Sequence, residues 1–148
     1  MKALDTNILV RFLTGDDKQQ AKTVYELFKQ AESAKQELFI PLTVVLELLW
    51  VLESVYNISR NEILDSISEM LLMPILKFEA LPALQQFILS AQESKYDLSD
   101  LLIAHNAKNS GCEKILTFDK KASKFNLFEL LNWYGQINFE LDQKIIFC

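Results

Sequence analysis

Four acidic side chains, Asp5, Glu47, Asp100 and Asp119, stand where carboxylate chemistry would be placed. Asp5 follows the apolar Ala3 and Leu4, and a second apolar run, Ile8-Leu9-Val10, begins just beyond it. A short apolar strand that ends in polar residues and turns into a helix opens a parallel α/β sheet, and ligands of such sheets sit at the carboxyl ends of the strands. Thr6 and Asn7 add a hydroxyl and an amide beside Asp5, although capping of the next helix is their ordinary reading. Glu47 is the one charge in VVLELLWVL, a run apolar on every helical face. Its carboxylate is therefore expected to be buried, and to need a partner or a metal. Thr43, Val44, Trp50 and Val51 offer it no base from its own helix, so a salt bridge from elsewhere, such as Arg11, is the ordinary alternative. Asp100 opens an apolar helix with Asp97 three residues earlier, and Asp119 closes an apolar strand ahead of Lys120 and Lys121. Singly, Asp97 and Asp119 read as helix caps, and Asp100 as a complement to a helix dipole.

Together the acids imply more. Bare carboxylates about 4 Å apart repel by roughly 4 kcal/mol per pair at an effective dielectric of about 20. Such a cluster persists only with protonation or with bound cations. An all-oxygen donor set favours Mg²⁺ or Mn²⁺ over zinc or copper. One or two such ions can activate water and stabilise a phosphate leaving oxygen.

The elements that must position these groups follow from pattern and punctuation. A chain of 148 residues is expected to form one domain, 1–148, which buries roughly 70% of its unfolded surface. Half the residues are hydrophobic, with three glycines and three prolines, so a helix-rich fold is expected. A first helix over about 7–14 stops at Gly15, a residue suited to a left-handed cap. Asp16 or Asp17 caps a second helix with Ala21, Val24, Tyr25, Phe28 and Ala31 on one stripe. The segment 37–40 (ELFI) reads as a buried strand ended by Pro41, and Thr43 opens a third helix. Ser59 and Glu62 have capping-box spacing ahead of a fourth, broken by Pro74. An edge strand at 75–78, a helix at 82–94 and a helix capped by Asp97 or Ser99 and running to Gly111 come next. The strand 114–118 (KILTF), a basic helical turn and a last strand at 126–131 complete the series. The aromatic-rich extension 132–148 is left unassigned, although it is too apolar for a disordered tail.

Three blocks carry a family resemblance: LDTNILVRFLTGDD, PLTVVLELLWVLESVYNISRNEI and YDLSDLLIAHNAKNSGCEKILTFDKKA. In combination they resemble PIN domains, and more narrowly the VapC-type toxin ribonucleases of toxin–antitoxin pairs. The resemblance implies a three-layer α/β/α PIN-like fold with a central, mostly parallel sheet. It puts the family's four acids on Asp5, Glu47, Asp100 and Asp119, a neighbouring acid on Asp97, and supporting polar residues on Thr6, Asn7 and Thr117. It implies metal-dependent cleavage of RNA phosphodiester bonds, with Mg²⁺ or Mn²⁺ held by Asp5, Asp97, Asp100 and Asp119. An antitoxin partner and a homodimer are implied as well.

The remaining features have plainer readings. The net charge of −5, from 15 basic and 20 acidic residues, disfavours passive nucleic-acid binding unless cations neutralise part of it. Lys108, Lys114, Lys120, Lys121 and Lys124 are candidates for RNA phosphates, with solvated faces as the commoner reading. His105 lies about 140° around the helix from Asp100, so it is read as a surface or packing residue. Cys112 and Cys148 are too few for a disulfide framework, no spacing suggests zinc, and no apolar run approaches the roughly 18 residues of a membrane span. With no signal-peptide pattern, a reduced cytoplasmic location is expected. Helix two (Val24, Tyr25, Phe28) and helix four (Ile63, Ile67, Met70, Leu71) form a candidate groove for an amphipathic partner helix. Rival functions are a free-standing RNA-processing nuclease, an aspartyl-phosphate phosphatase, a receiver-like signalling domain and a non-catalytic interaction module. The phosphatase usually wants a second Asp two positions after the first, where this chain has Asn7.

Overall fold

The computed structural model describes residues 1–131; residues 132–148, with the extension assigned there, lie outside the described part. Five short strands alternate with six helices: β1 (Lys2–Ala3), α1 (Thr6–Thr14), α2 (Lys18–Ala34), β2 (Leu38–Ile40), α3 (Leu42–Ser54), α4 (Arg60–Leu71), β3 (Leu76–Phe78), α5 (Leu81–Glu93), α6 (Leu98–Asn109), β4 (Ile115–Thr117) and β5 (Phe128–Leu130). A single helical turn, Ala122–Lys124, precedes β5. All registered strand pairs are parallel, in the order β1-β2-β3 and, in a second ladder, β4-β5. Leu38 lies opposite Lys2 and Leu76, and Ile115 opposite Phe128. Parallel neighbours need long crossovers, which the intervening helices supply. This is the α/β organisation expected from the sequence.

Local chemistry sets the helix ends. Gly15 ends α1 at φ 61°, a left-handed conformation that costs glycine nothing, and its N–H returns to the Arg11 carbonyl. Asp17, rather than Asp16, caps α2 through the Gln20 N–H. The Ser59 hydroxyl accepts the Glu62 N–H, as the capping box requires. Asp97, rather than Ser99, caps α6. The third helix starts one residue before Thr43 and closes at Ser54.

Leu9, Val10, Ile40, Leu48, Leu49, Leu52, Ile63, Ile67, Phe87 and Leu101 form the centre of the main apolar cluster. Ala104, Ala122, Leu127 and Phe128 make a smaller one under β4 and β5. Two expectations are corrected by this packing. Ile63, Ile67 and Met70 are buried in the core, so helix four does not line the expected groove; of helix two, Tyr25 is exposed, and the largely buried Phe28 edges a recess with Met73 and Ile75 instead. The spacing of the two stripes marked the inward face of each helix, which any amphipathic helix spends on its own core. The second correction concerns Glu47, which is exposed. The reason is a strip at helical spacing, Thr43, Glu47, Trp50 and Ser54, all of it open to solvent. Trp50, 59% exposed, disguises that strip as apolar in the sequence.

Candidate active site

The chain turns from β1 into α1 through Asp5, whose extended backbone (φ −86°, ψ 162°) lets its carboxylate accept the Thr6 N–H at 2.8 Å. Thr6 itself is buried, and its hydroxyl donates to Glu47 Oε2 at 3.0 Å. That bond ties the start of α1 to the second turn of α3 across 41 residues of sequence. Arg11 is engaged elsewhere, with Asp16 at 3.1 Å, Gln20 at 2.7 Å and Tyr56 at 3.2 Å. The salt-bridge alternative for Glu47 therefore fails: its partner is a neutral hydroxyl.

A second group forms at the start of α6. Asp97 accepts the Asp100 N–H at 3.1 Å, so its capping role is real. Asp119, in the turn after β4, accepts the N–H groups of Lys121 at 2.8 Å and Ala122 at 3.2 Å. Its own N–H donates to the Thr117 hydroxyl at 3.0 Å, so Thr117 shapes the turn. Asp97, Asp100 and Asp119 line one cavity of about 740 Å³. Burial, then the charges of Asp97 and Asp119, push the Asp100 carboxyl above the ordinary carboxylate range.

The structure thus joins Asp5, Thr6 and Glu47 in one corner, and Asp97, Asp100 and Asp119 in another. Asn7 goes to neither; it lines a separate recess with Arg11 and Gln20. Among the described residues no group of three or more His, Cys, Asp or Glu side chains is placed to hold a metal ion. The donor set nevertheless suits a hard cation. Mg²⁺ keeps several waters and takes only one or two carboxylates, and the raised Asp100 carboxyl marks a place where negative charge lacks compensation.

His105 is a packing residue. It is buried, its Nε2 lies 2.6 Å from the Ser90 hydroxyl, and its ring stacks at a tilt on Phe125. Burial, then Lys108, lowers its pKa. Four charged cavity residues escaped the sequence reading: Glu53, Glu93, Lys95 and Arg60. Lys95 sits among polar residues with no periodic signal. Arg60 occupies the first turn of α4, but its guanidinium reaches the carbonyls of Ala91, Ser94 and Tyr96, at least 31 residues away. No local pattern encodes such a reach.

The PIN-domain family model matches residues 2–126, nearly all of the described chain. The chain belongs to the PIN-domain family. A VapC ribonuclease of Aquifex aeolicus (strain VF5) is 27% identical to this PIN domain over 136 residues, which cover 92% of this chain and 99% of that protein. Among the described residues of the PIN domain, no helix is long and apolar enough to cross a membrane.

Proposed function

We propose that this PIN domain is a VapC-type toxin, a metal-dependent endoribonuclease that hydrolyses RNA phosphodiester bonds. The observation that carries the reading is the cavity in which Asp97 and Asp119 crowd the half-buried Asp100, in a chain similar to a VapC ribonuclease along almost its whole length. Asp5, Asp97, Asp100 and Asp119 are the residues that would hold Mg²⁺ or Mn²⁺, and Glu47 completes the acidic set. When bound, such a cation supplies a water of lowered pKa and a counter-charge for the phosphate leaving oxygen.

The chain's own residues have distinct tasks in this reading. The Thr6 hydroxyl holds Glu47 in one orientation, and Thr117 holds the turn that presents Asp119. Lys95, Lys121 and Lys124 line the same cavity as the acids, where they supply the positive charge a phosphate strand needs on a protein of net charge −5. Lys114 is turned to the Asn126 carbonyl instead. A small antitoxin restrains the enzyme in the cytoplasm by presenting basic groups to the same carboxylates. A homodimer is part of the reading, supported by the exposed apolar side chains Trp50, Leu72, Leu116 and Phe118. The whole chain, 1–148, acts as one PIN domain with 132–148 as an extension.

Purified protein should cut single-stranded RNA with Mn²⁺ or Mg²⁺ and stop in excess chelator. Co-expression with the product of the neighbouring gene should give an inactive complex. Undiminished cleavage in chelator rejects the metal mechanism. A chain that is harmless when overexpressed and binds no neighbour-encoded protein rejects the toxin reading.

A further inference from the structure

Arg60 opens α4, yet its side chain serves another part of the fold. Nη1 donates to the Tyr96 carbonyl at 2.5 Å, Nη2 to Ser94 at 3.1 Å and Ala91 at 3.2 Å, and Nε to Ala91 at 3.4 Å. These carbonyls belong to the end of α5 and to the loop into α6. The last carbonyls of a helix have no amide partners of their own, and one planar guanidinium with five donors can satisfy several together. An ammonium cannot span three carbonyls in the same way. Within the loop the Tyr96 ring packs on Phe125, while the Ser94 hydroxyl is buried without a partner among the described residues. Tyr96 immediately precedes Asp97, whose cap fixes Asp100. Among the described residues the one ion pair is Arg11–Asp16, so Arg60 spends its fork on backbone rather than on an acid.

We propose that Arg60 is a positioning residue for the acidic cavity: by clamping the α5–α6 loop it sets where Asp97 and Asp100 stand toward a divalent cation. The proposal rests on the metal-dependent reading above. It predicts a sign that electrostatics alone does not. Arg60→Met removes a cation from the cavity wall, which by charge alone tightens Mn²⁺ binding, and Arg60→Lys keeps the charge and leaves binding unchanged. A lost clamp weakens binding in both variants. Outer partners of metal ligands typically change affinity by about tenfold to a hundredfold, and that is the loss expected here.

The test is calorimetric titration of Mn²⁺ into the metal-free full-length chain, wild type and both variants, beside their thermal melts. Weaker Mn²⁺ binding in both supports the clamp. A lower melting temperature with unchanged or tighter Mn²⁺ binding reduces Arg60 to a brace and overturns the proposal. A wild-type chain that binds no Mn²⁺ sinks the metal reading itself, and the proposal with it. If neither variant folds, the Arg60 Nε–H resonance of the wild type decides during a Mg²⁺ titration. A shift that saturates with site occupancy supports the clamp, and an unmoved resonance rejects it.

Discussion

The two acidic corners of this PIN domain are built on opposite principles. Around Asp5 and Glu47, both carboxylates have hydrogen-bond donors: the Thr6 N–H serves Asp5 and the Thr6 hydroxyl serves Glu47. One residue therefore organises that corner, and neither acid leans on the other. Around Asp100 the carboxyl is partly desolvated and faces the like charges of Asp97 and Asp119, which are themselves bonded to backbone N–H groups. The first corner is satisfied as it stands. The second is held in an unfavourable arrangement by the fold, which is the condition that favours a bound cation or proton. An oriented pair and a crowded trio are different arrangements of carboxylates, and substitutions can separate them.

The largest effect is expected from the crowded corner. Asp100→Asn should lower Mn²⁺-dependent RNA cleavage by more than about a hundredfold, beyond the range an outer-sphere partner commands. The same change should leave the metal-free protein as stable as wild type or slightly more so, because an ionised Asp100 opposes folding. The sign follows from its raised pKa: the folded state holds this proton more tightly, so stability falls as pH rises through that window. Wild type should lose this component above the ordinary carboxylate range, and Asp100→Asn should not. Melts across acid and neutral pH, with chelator, check it; a clear destabilisation by Asp100→Asn at neutral pH would break the contrast between the corners.

In the satisfied corner the effects should be smaller and of opposite sign for stability. Thr6→Val keeps the shape but removes the donor to Glu47, at a cost of about 1 kcal/mol in denaturant unfolding for the lost hydrogen bond. Activity should fall by about tenfold to a hundredfold through the freed Glu47 carboxylate. If activity is untouched, Glu47 does not need the orientation that Thr6 provides.

The lysines sharpen the comparison from the substrate side. Replacing Lys95, Lys121 and Lys124 together by Gln should raise KM more than it lowers kcat. It should also reduce the slope of log affinity against log salt by about 2, from roughly 0.7 per phosphate contact on a single strand. Replacing the exposed Lys18, Lys22 and Lys29 of α2 changes net charge equally, and should leave that slope nearly unchanged. Equal slopes for the two triple variants would mean the cavity has no special hold on the strand.

The smallest effect concerns His105, which packs from α6 against Ser90 and Phe125. Its lowered pKa means the unfolded chain takes up a proton more readily. Stability should therefore decline as pH falls below about 6.5, the unperturbed histidine value. A His105→Gln variant should lack that slope while its activity at neutral pH stays within about twofold of wild type, as for a change that spares the transition state. A large loss of kcat would instead bring His105 into the chemistry.

Much of this fold was legible because its signals are local. The caps at Ser59 and Asp97, the left-handed stop at Gly15 and the apolar strands each act within a few residues. Asp97 was legible as a cap for the same reason, since a carboxylate three residues before an amide can reach it. The opposite holds for Glu47. An apolar neighbourhood in sequence was read as burial in space, and Trp50, an exposed aromatic on the same strip, made the two look alike. The helix-two and helix-four stripes were correctly apolar, but a stripe carries no label saying whether it meets the protein's own core or a partner.

Sequence alone determined the parallel α/β elements, their caps, and which acids stand at their ends, because backbone hydrogen bonding and side-chain periodicity are short-range. Tertiary structure alone decided that Thr6 serves Glu47, that Asp119 presses on Asp100, and that Arg60 reaches the α5–α6 loop. Each of those contacts closes a long loop of chain, from 19 residues between Asp100 and Asp119 to 41 between Thr6 and Glu47. Nothing within one helical turn or one strand specifies such a meeting; it exists only once the core has packed and carried the distant segments together.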